Sequence, residues 1–363
     1  MNLVRLGSIV VKELLQLRRD RLTFAMIIGI PTMQLVLFGY AINLDVRELP
    51  AAVLDQAHTA RSREVIAQMA ATEVMDFERR VETPQQVDEL LRSGEISAAL
   101  ILPPDFETRL ERRDRPAVQI VVDGSEQVIQ AAARQLASFP LYADYGWTGQ
   151  TRPIEVVNFY NPERRAAVNT VPGLVGVILT MTMVLFTAIA LVRERERGNL
   201  EMLIATPVSP WELTLGKVLP FIGIGLVQVT VVLLLGDLLF DVPIRGSLTE
   251  LYLSALVFII ASLALGIFLS TLARSQFQAM QMAFFTFLPQ ILLSGFMFPY
   301  AGMPVAAQYV AEILPLTHFL RLIRGIMLRG ADFSDLWPSL AALGVFIVVM
   351  LGVAVSRVSK RLD

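Results

Sequence analysis

The chain has 363 residues, of which 54% are hydrophobic and 18% are charged, and its formal net charge is −2. Soluble domains carry about 25% charged residues, so this composition favours a membrane protein. Acidic and basic residues are interleaved, which argues against a nucleic-acid partner. The chain has no cysteine, and this excludes disulfide bonds and thiolate metal sites.

The first 42 residues predict a membrane anchor. Residues 1–21 place apolar side chains at helical spacing beside a cluster of basic residues, so we expect an amphipathic helix on the cytoplasmic membrane surface. Residues 22–42 contain no charge and are long enough to cross a bilayer core of about 30 Å as a helix. This first span therefore leaves the cytoplasm near Asn43.

Strand-like and helix-like segments alternate through residues 43–170. Thr83 and Pro84 are suited to start a helix, and Gly94 is suited to end it. This alternation predicts a sheet covered by helices, inserted after the first span as an extracytoplasmic α/β domain. Whether such a domain docks partners or is only a compact spacer stays open.

Further apolar runs of membrane length follow this region. They cover residues 171–192, 218–239, 251–272, 280–297 and 338–355. Together with the first run they predict an α-helical polytopic membrane protein with six transmembrane helices, in residues 22–42 and 171–363. Lys and Arg cluster at both ends of the chain, in the loop 193–217 and at Arg274, so both termini are expected in the cytoplasm.

The loop 193–217 starts as a mixed-charge extension of the second span. Gly198 can end that helix, and Asn199 can cap a short one. Ser209 and Pro210 then predict the start of the helix that forms the third span. The loop is either a generic interfacial hairpin or a charged surface offered to a partner.

The segment 299–336 combines prolines with many apolar residues. We expect short helices that fold back into the outer leaflet as a re-entrant segment, because a free loop would not be so apolar. Its basic residues Arg321, Arg324 and Arg329 are then expected at the outer rim. An ordinary external amphipathic helix is the alternative.

No catalytic constellation is present in the sequence. The histidines are His58 and His318, and neither has a second metal ligand nearby. Gly216 and Lys217 lack the upstream glycine of a phosphate-binding loop. The sequence therefore indicates no enzyme and no cofactor bound by this chain.

Two segments resemble signatures of type-2 ABC exporter permeases. RERERGNLEMLIATPVSPWELTLGK, at 193–217, resembles the motif ERExGTLExLxxTPv of that family. LSGFMFPYAGMPVAAQYVAEILPLTHFLRLIRGIMLRG, at 293–330, resembles the second signature. The large insertion is similar to that of the bacterial drug-efflux subfamily. Asn199 replaces the usual Thr, and His318 replaces a residue that is commonly aromatic.

The resemblance assigns roles to two sets of residues. The set expected to contact the ATPase, here called the coupling segment, comprises Glu194, Glu196, Gly198, Asn199, Glu201, Leu203, Thr206 and Pro207. The set expected to close the exit, here called the outer gate segment, comprises Pro299, Met303, Pro304, Pro315, His318 and Arg324.

The resemblance also implies a function and partners. The chain would be the permease of an exporter that moves drugs, lipids or other amphiphiles out of a bacterial inner membrane. ATP and Mg would be bound by a separate ABC ATPase subunit. A second permease chain, in a homodimer or heterodimer, would complete the pathway within the bilayer, and the subfamily adds a periplasmic adaptor and an outer-membrane channel. The rival hypotheses are a membrane-anchored assembly protein and a secondary transporter.

Overall fold

The computed structural model describes residues 49–125, 127–137, 154–196 and 210–359. The predicted surface helix of residues 1–21 and the predicted first span lie outside these residues. The described chain forms an α/β part, from Leu49 to Phe159, and a helical part that begins at Ala166.

The α/β part alternates strands and helices as predicted. Its elements are β1 Leu49–Asp55, α1 Ala60–Ala70, β2 Met75–Arg80, α2 Pro84–Ser93, β3 Ala98–Leu102, α3 Phe106–Arg112, β4 Val118–Asp123, α4 Gln127–Ala137 and β5 Ile154–Phe159. They build one five-stranded sheet in the order β2-β1-β3-β4-β5. All neighbouring strands are parallel except β3 and β4, which are antiparallel.

The single antiparallel pair reverses the direction of the sheet. The chain runs one way in β1 and β3 and the opposite way in β4 and β5. The start of β1 and the end of β5 therefore lie at the same end of the sheet. The start of β3 and Asp123, the last residue of β4, lie at that end as well.

Helices cover the two faces of the sheet unequally. One face packs against α1, α3 and α4, with Val65, Phe106 and Ile129 in its core. The other face packs against α2 through Val87 and Leu91. Both clusters are apolar and buried, so burial on two faces stabilises the sheet.

Helix α2 has the termini that its sequence predicts. Thr83 Oγ1 accepts a hydrogen bond from the backbone N–H of Gln86, and the Gln86 side chain accepts one from the Thr83 N–H. Pro84 is the first residue of the helix. Gly94 ends it with φ +78°, a left-handed conformation that a residue without Cβ adopts at little cost. These predictions are confirmed.

The helical part contains five long helices and a set of short elements. The long helices are α5 Ala166–Glu196, α6 Pro210–Phe240, α7 Leu248–Leu272, α8 Gln276–Leu293 and α11 Phe333–Ser359. The short elements are a 3-10 turn Tyr300–Gly302, α9 Val305–Ala311, α10 Pro315–Arg324 and a π-helical turn Gly325–Arg329.

Four of the described helices are long and apolar enough to cross a membrane. They are Ala166–Glu196, Leu219–Phe240, Leu248–Leu272 and Phe333–Arg357. They belong to α5, α6, α7 and α11, which contain the runs predicted as the second, third, fourth and sixth spans. The chain is thus a helical, multi-pass membrane protein by the length and composition of these elements.

The predicted fifth span is only partly helical. Helix α8 has 18 residues and ends at Leu293, whereas the apolar run continues to residue 297. The chain turns at Gly295, whose φ of +88° is a left-handed conformation that favours glycine and breaks the helix. The apolar residues after this turn lead into the short elements that follow α8.

Helix α7 lies at the centre of the helical part. Of its most apolar stretch, 67% is buried, whereas the corresponding values are 22% for α6 and 17% for α11. Gly266 lets α7 approach α5 closely, because a Cβ there would lie 2.8 Å from Thr187 Cβ and 2.9 Å from Val184 O. Helices α6 and α11 therefore present apolar faces at the periphery.

Candidate functional site

The predicted coupling segment begins inside α5. This helix continues without a break from its apolar stretch to Glu196, so Glu194 and Glu196 lie on its last turn. The remaining predicted residues lie outside the described part of the chain, and they are Gly198, Asn199, Glu201, Leu203, Thr206 and Pro207. Pro210 is the first residue of α6, which confirms the helix start predicted there.

The last turn of α5 contacts the short turn between α7 and α8. The carboxylate of Glu196 accepts hydrogen bonds from the backbone N–H of Gln276, at 3.0 Å, and from its side-chain amide. Arg193 Nε donates to the Gln276 side-chain oxygen at 3.1 Å. Arg195 donates to the carbonyl of Ala273 at 3.1 Å. The sequence pattern did not predict this contact, because it joins residues about 80 positions apart.

The prolines of the predicted outer gate segment stand at the boundaries of its short elements. Pro299 precedes the 3-10 turn, Pro304 precedes α9, and Pro315 is the first residue of α10. Met303 is buried between the first two of these elements. The prediction of several short helices is therefore confirmed, and each begins where proline is tolerated.

Helix α10 packs deep inside the helical part. Phe319 is fully buried and stacks on Phe258 of α7, with ring centroids 4.2 Å apart. Leu316 is fully buried as well, and it lies against Gly176 of α5, where a Cβ would come within 2.6 Å of it. Ile313, just before α10, is 67% exposed. The apolar residues around α10 are therefore divided: some pack in the helical core, and others, such as Ile313, are exposed.

A polar cluster links α9 to α10. Arg321 donates to both carboxylate oxygens of Glu312, and its guanidinium carbon lies 4.6 Å from the centre of the Tyr300 ring. His318 Nε2 lies 2.8 Å from the carbonyl oxygen of Glu312. The predicted gate residue Arg324 donates to the carbonyl of Gly295 at 3.1 Å. These bonds hold the end of α9 and the end of α8 against α10.

The three arginines expected at the outer rim all have acceptors within the chain. Arg321 pairs with Glu312, Arg324 binds the carbonyl of Gly295, and Arg329 pairs with Asp123. Each guanidinium thus contacts groups of its own chain. Their position at the outer rim stays a prediction, and the sequence did not reveal these acceptors.

Arg329 joins the helical part to the α/β part. Its Nη1 lies 3.5 Å from Asp123 Oδ2, and the two side chains are 11% and 6% exposed. Gly94 leaves room for this arginine, because a Cβ at that position would overlap Nη1. Nearby, Arg92 of α2 approaches Asp335 of α11 at 3.7 Å. The end of the sheet that carries Asp123 therefore faces the outer gate segment.

A second contact between the two parts involves the loop after α6. The backbone N–H groups of Arg245 and Gly246 donate to the carbonyls of Met327 and Ile326, at 2.9 and 3.0 Å. The Arg245 side chain donates to the Tyr160 carbonyl at 3.2 Å and lies 5.7 Å from the centre of its ring. Burial, with a contribution from the charge of Asp123, raises the pKa of the Tyr160 hydroxyl to about 12.

Two hollows among the described residues differ greatly in size. An open one of about 650 Å³ lies beside β5, where Asp88, Asn158 and Arg245 contribute to its lining. Thr180, Phe284 and Gln290 line a hollow between α5 and α8 of about 10 Å³. Ligand pockets usually measure about 300–1,000 Å³, so this hollow is not a cargo site. Within the described ranges, no group of three or more His, Asp or Glu residues is placed to hold a metal ion.

The architecture is that of a helical, multi-pass membrane protein. Membrane-length helices surround a buried core helix, and a charged extension of α5 and a set of short helices lie at opposite ends of α8. Comparison with known proteins then specifies the family. Residues 21–356 match the family described as "ABC-2 family transporter protein", and the chain belongs to that family.

Several relatives match nearly the whole chain. The Escherichia coli (strain K12) proteins named "Probable multidrug ABC transporter permease" YbhS and YbhR are 28% and 29% identical, over 99% and 98% of this chain and 98% of each relative. "ABC transporter G family member 20" of Dictyostelium discoideum is 23% identical over 96% of this chain and 50% of its own length. The resemblance to ABC exporter permeases is thus confirmed.

Proposed function

We propose that this chain is the permease subunit of an ABC exporter and moves amphiphilic cargo outward with ATP hydrolysed by a separate subunit. The observation that carries the proposal is α5, an apolar helix of 31 residues that continues unbroken into the charged end at Glu196. A rigid element of this kind can carry a displacement from the cytoplasm into the membrane. The family assignment supports the same reading.

The proposed topology has six spans with both termini in the cytoplasm of a bacterial inner membrane. The α/β part then lies outside, as a domain inserted after the first span. The distribution of Lys and Arg supports this orientation. Contacts of the α/β part with the outer gate segment and with the loop after α6 are consistent with one outer side for all three.

The proposed coupling segment contacts an ABC ATPase, which holds ATP and Mg. Glu201 is predicted near the start of a short helix, where a negative charge is favoured by the helix dipole. We expect Glu201→Lys to lower ATP-driven transport severalfold while insertion into the membrane stays normal. Glu107→Lys is the matched control, because Glu107 is an exposed acid in the first turn of α3. Full transport by the Glu201 variant would contradict this assignment.

The proposed pathway needs a second permease chain. The hollow between α5 and α8 is too small for cargo, and α6 and α11 expose apolar side chains such as Val227, Leu234 and Val348. Exposed apolar faces of this kind suit contact with lipid or with another chain. The names of the bacterial relatives support drugs as one class of cargo, and a periplasmic adaptor with an outer-membrane channel would complete export.

Reconstitution tests the function directly. The chain is co-expressed with its ATP-binding subunit, purified as a complex and inserted into liposomes, and ATP-driven movement of ethidium is measured. We expect transport that stops when a non-hydrolysable ATP analogue replaces ATP. Movement driven by a proton gradient without ATP would identify a secondary transporter instead. Absence of a co-purifying ATPase together with absence of dye movement would favour an assembly protein.

A further inference from the structure

The end of α5 contacts two helix termini of opposite polarity. Arg195 donates to the carbonyl of Ala273, the C-cap of α7, and Glu196 accepts from the backbone N–H of Gln276, the first residue of α8. A cation near a helix C-terminus and an anion near an N-terminus both interact favourably with the helix dipoles. These contacts fix the last turn of α5 relative to both helices.

The side chain of Gln276 connects the two charged residues that flank it. Its amide nitrogen donates to Glu196, and its amide oxygen accepts from Arg193. An amide can do both at once, whereas a carboxylate would repel Glu196 and an ammonium could not accept from Arg193. We call Arg193, Arg195, Glu196, Ala273 and Gln276 the α5–α8 clasp.

Helix α8 connects the clasp to the predicted outer gate segment. At its other end, Leu292 and Leu293 pack in one buried cluster with Met303 and Ala311. The carbonyl of Gly295, just beyond the helix, accepts from Arg324. Direct contacts therefore connect Gln276, through α8, with the short helices at its other end.

We propose that Gln276 is a positioning residue for ATP-driven transport, and that the α5–α8 clasp transmits movement of the coupling segment through α8 to the outer gate segment. This inference rests on the proposed function. It assigns Glu196 a partner inside the chain, Gln276 at the start of α8. The connection between α7 and α8 thereby acquires a role in coupling that its sequence does not indicate.

Isosteric substitution tests the role of the amide. Gln276→Glu keeps the size of the side chain but places two carboxylates together, and Gln276→Ala removes the contact. Gln119→Ala is the matched control, because Gln119 donates to Glu155 in an exposed amide–carboxylate bond far from the clasp.

The readout reports movement at the outer gate segment. Ile313→Cys introduces a single thiol at an exposed position of a chain without cysteine. The permease–ATPase complex is placed in nanodiscs, and the rate of maleimide labelling is measured with and without ATP and vanadate. ATP hydrolysis and complex assembly are measured on the same samples. A complex with an intact clasp should change its labelling rate about fivefold or more, the range of typical allosteric coupling.

The expected result separates coupling from folding. Both single variants at Gln276 should assemble and hydrolyse ATP, but their labelling rates should respond less than about twofold to ATP. The Gln119 control should respond like the native chain. A native-like response of Gln276→Ala or of Gln276→Glu overturns the clasp. A native complex that neither hydrolyses ATP nor responds to it overturns the proposed function, and the inference with it.

Discussion

Arg329 is the residue whose side chain most directly joins the α/β part to the helical part. It pairs with Asp123 in a nearly buried site. Removal of one partner from a buried ion pair costs about 3–5 kcal/mol, because the other charge is left uncompensated. We therefore expect Arg329→Met to lower the free energy of unfolding by about 3 kcal/mol, measured by thermal unfolding in detergent.

An exposed ion pair provides the control for this measurement. Arg79 pairs with Glu95 at the surface of the α/β part, where both side chains are about half exposed. Arg79→Met should cost less than about 1 kcal/mol. Equal losses for the two variants would contradict the structural role of Arg329. Asp123→Asn combined with Arg329→Met should recover part of the loss, since no buried charge remains.

Tyr160 gives a prediction about pH. Burial raises the pKa of its hydroxyl from 10.0 to about 12, so the folded chain keeps the proton when the unfolded chain loses it. The contribution to stability is fully present below pH 10 and is lost as pH rises from 10 towards 12. Tyr160→Phe should lack this loss in thermal unfolding scans. The exposed Tyr309→Phe is the control, and identical alkaline profiles for native chain and Tyr160→Phe would refute the assignment.

At the scale of elements, the end of α2 depends on Gly94. Alanine there requires the left-handed conformation at φ +78° and places a Cβ against Arg329. We expect Gly94→Ala to destabilise the chain by about 2 kcal/mol or more. Gly344→Ala in α11 is the matched control, because a Cβ there meets no atom within 4 Å and alanine favours a helix. Equal unfolding temperatures for the two variants would contradict the close approach of Arg329.

The starts of helices were predictable where capping residues and prolines mark them in the local sequence. Thr83 with Pro84 marks the start of α2, and Pro315 marks the start of α10, because capping and proline geometry act within one turn. The antiparallel pairing of β3 with β4 was not predicted, since strand direction depends on how distant segments meet. The early end of α8 was missed because an apolar run does not reveal that Gly295 adopts a positive φ.

The contacts of the candidate site were not predictable for the same reason. Motifs indicated Glu196 and Arg324 as functional, but motifs do not name partners. Gln276 is the first residue of α8 and belongs to no signature, and it meets Glu196 only because α5 and α8 pack side by side. Asp123 ends a strand, and nothing in its local sequence indicates the ion pair that it forms with Arg329 in the folded chain.

At the scale of the whole molecule, the proposed topology predicts which surfaces a membrane-impermeant reagent can reach. The chain has no cysteine, so single thiols can be introduced cleanly. Thr108→Cys in α3 should label in intact spheroplasts, and Arg274→Cys, in the turn between α7 and α8, should label only after permeabilisation. Both positions are exposed, so accessibility depends on sidedness alone. Labelling of residue 274 from outside would overturn the six-span orientation.

The reversal of direction between β3 and β4 has a consequence for how the α/β part can vary. The chain enters the α/β part at the start of β1 and leaves it at the end of β5, and both points are at one end of the sheet, so the loops 56–59, 103–105 and 113–117 are gathered at the opposite end. Doubling the length of such a loop costs only about 0.6 kcal/mol in closure entropy. Those loops can therefore lengthen or exchange residues, and so acquire new surfaces, while the entry and exit points and the packing of the helices stay as they are.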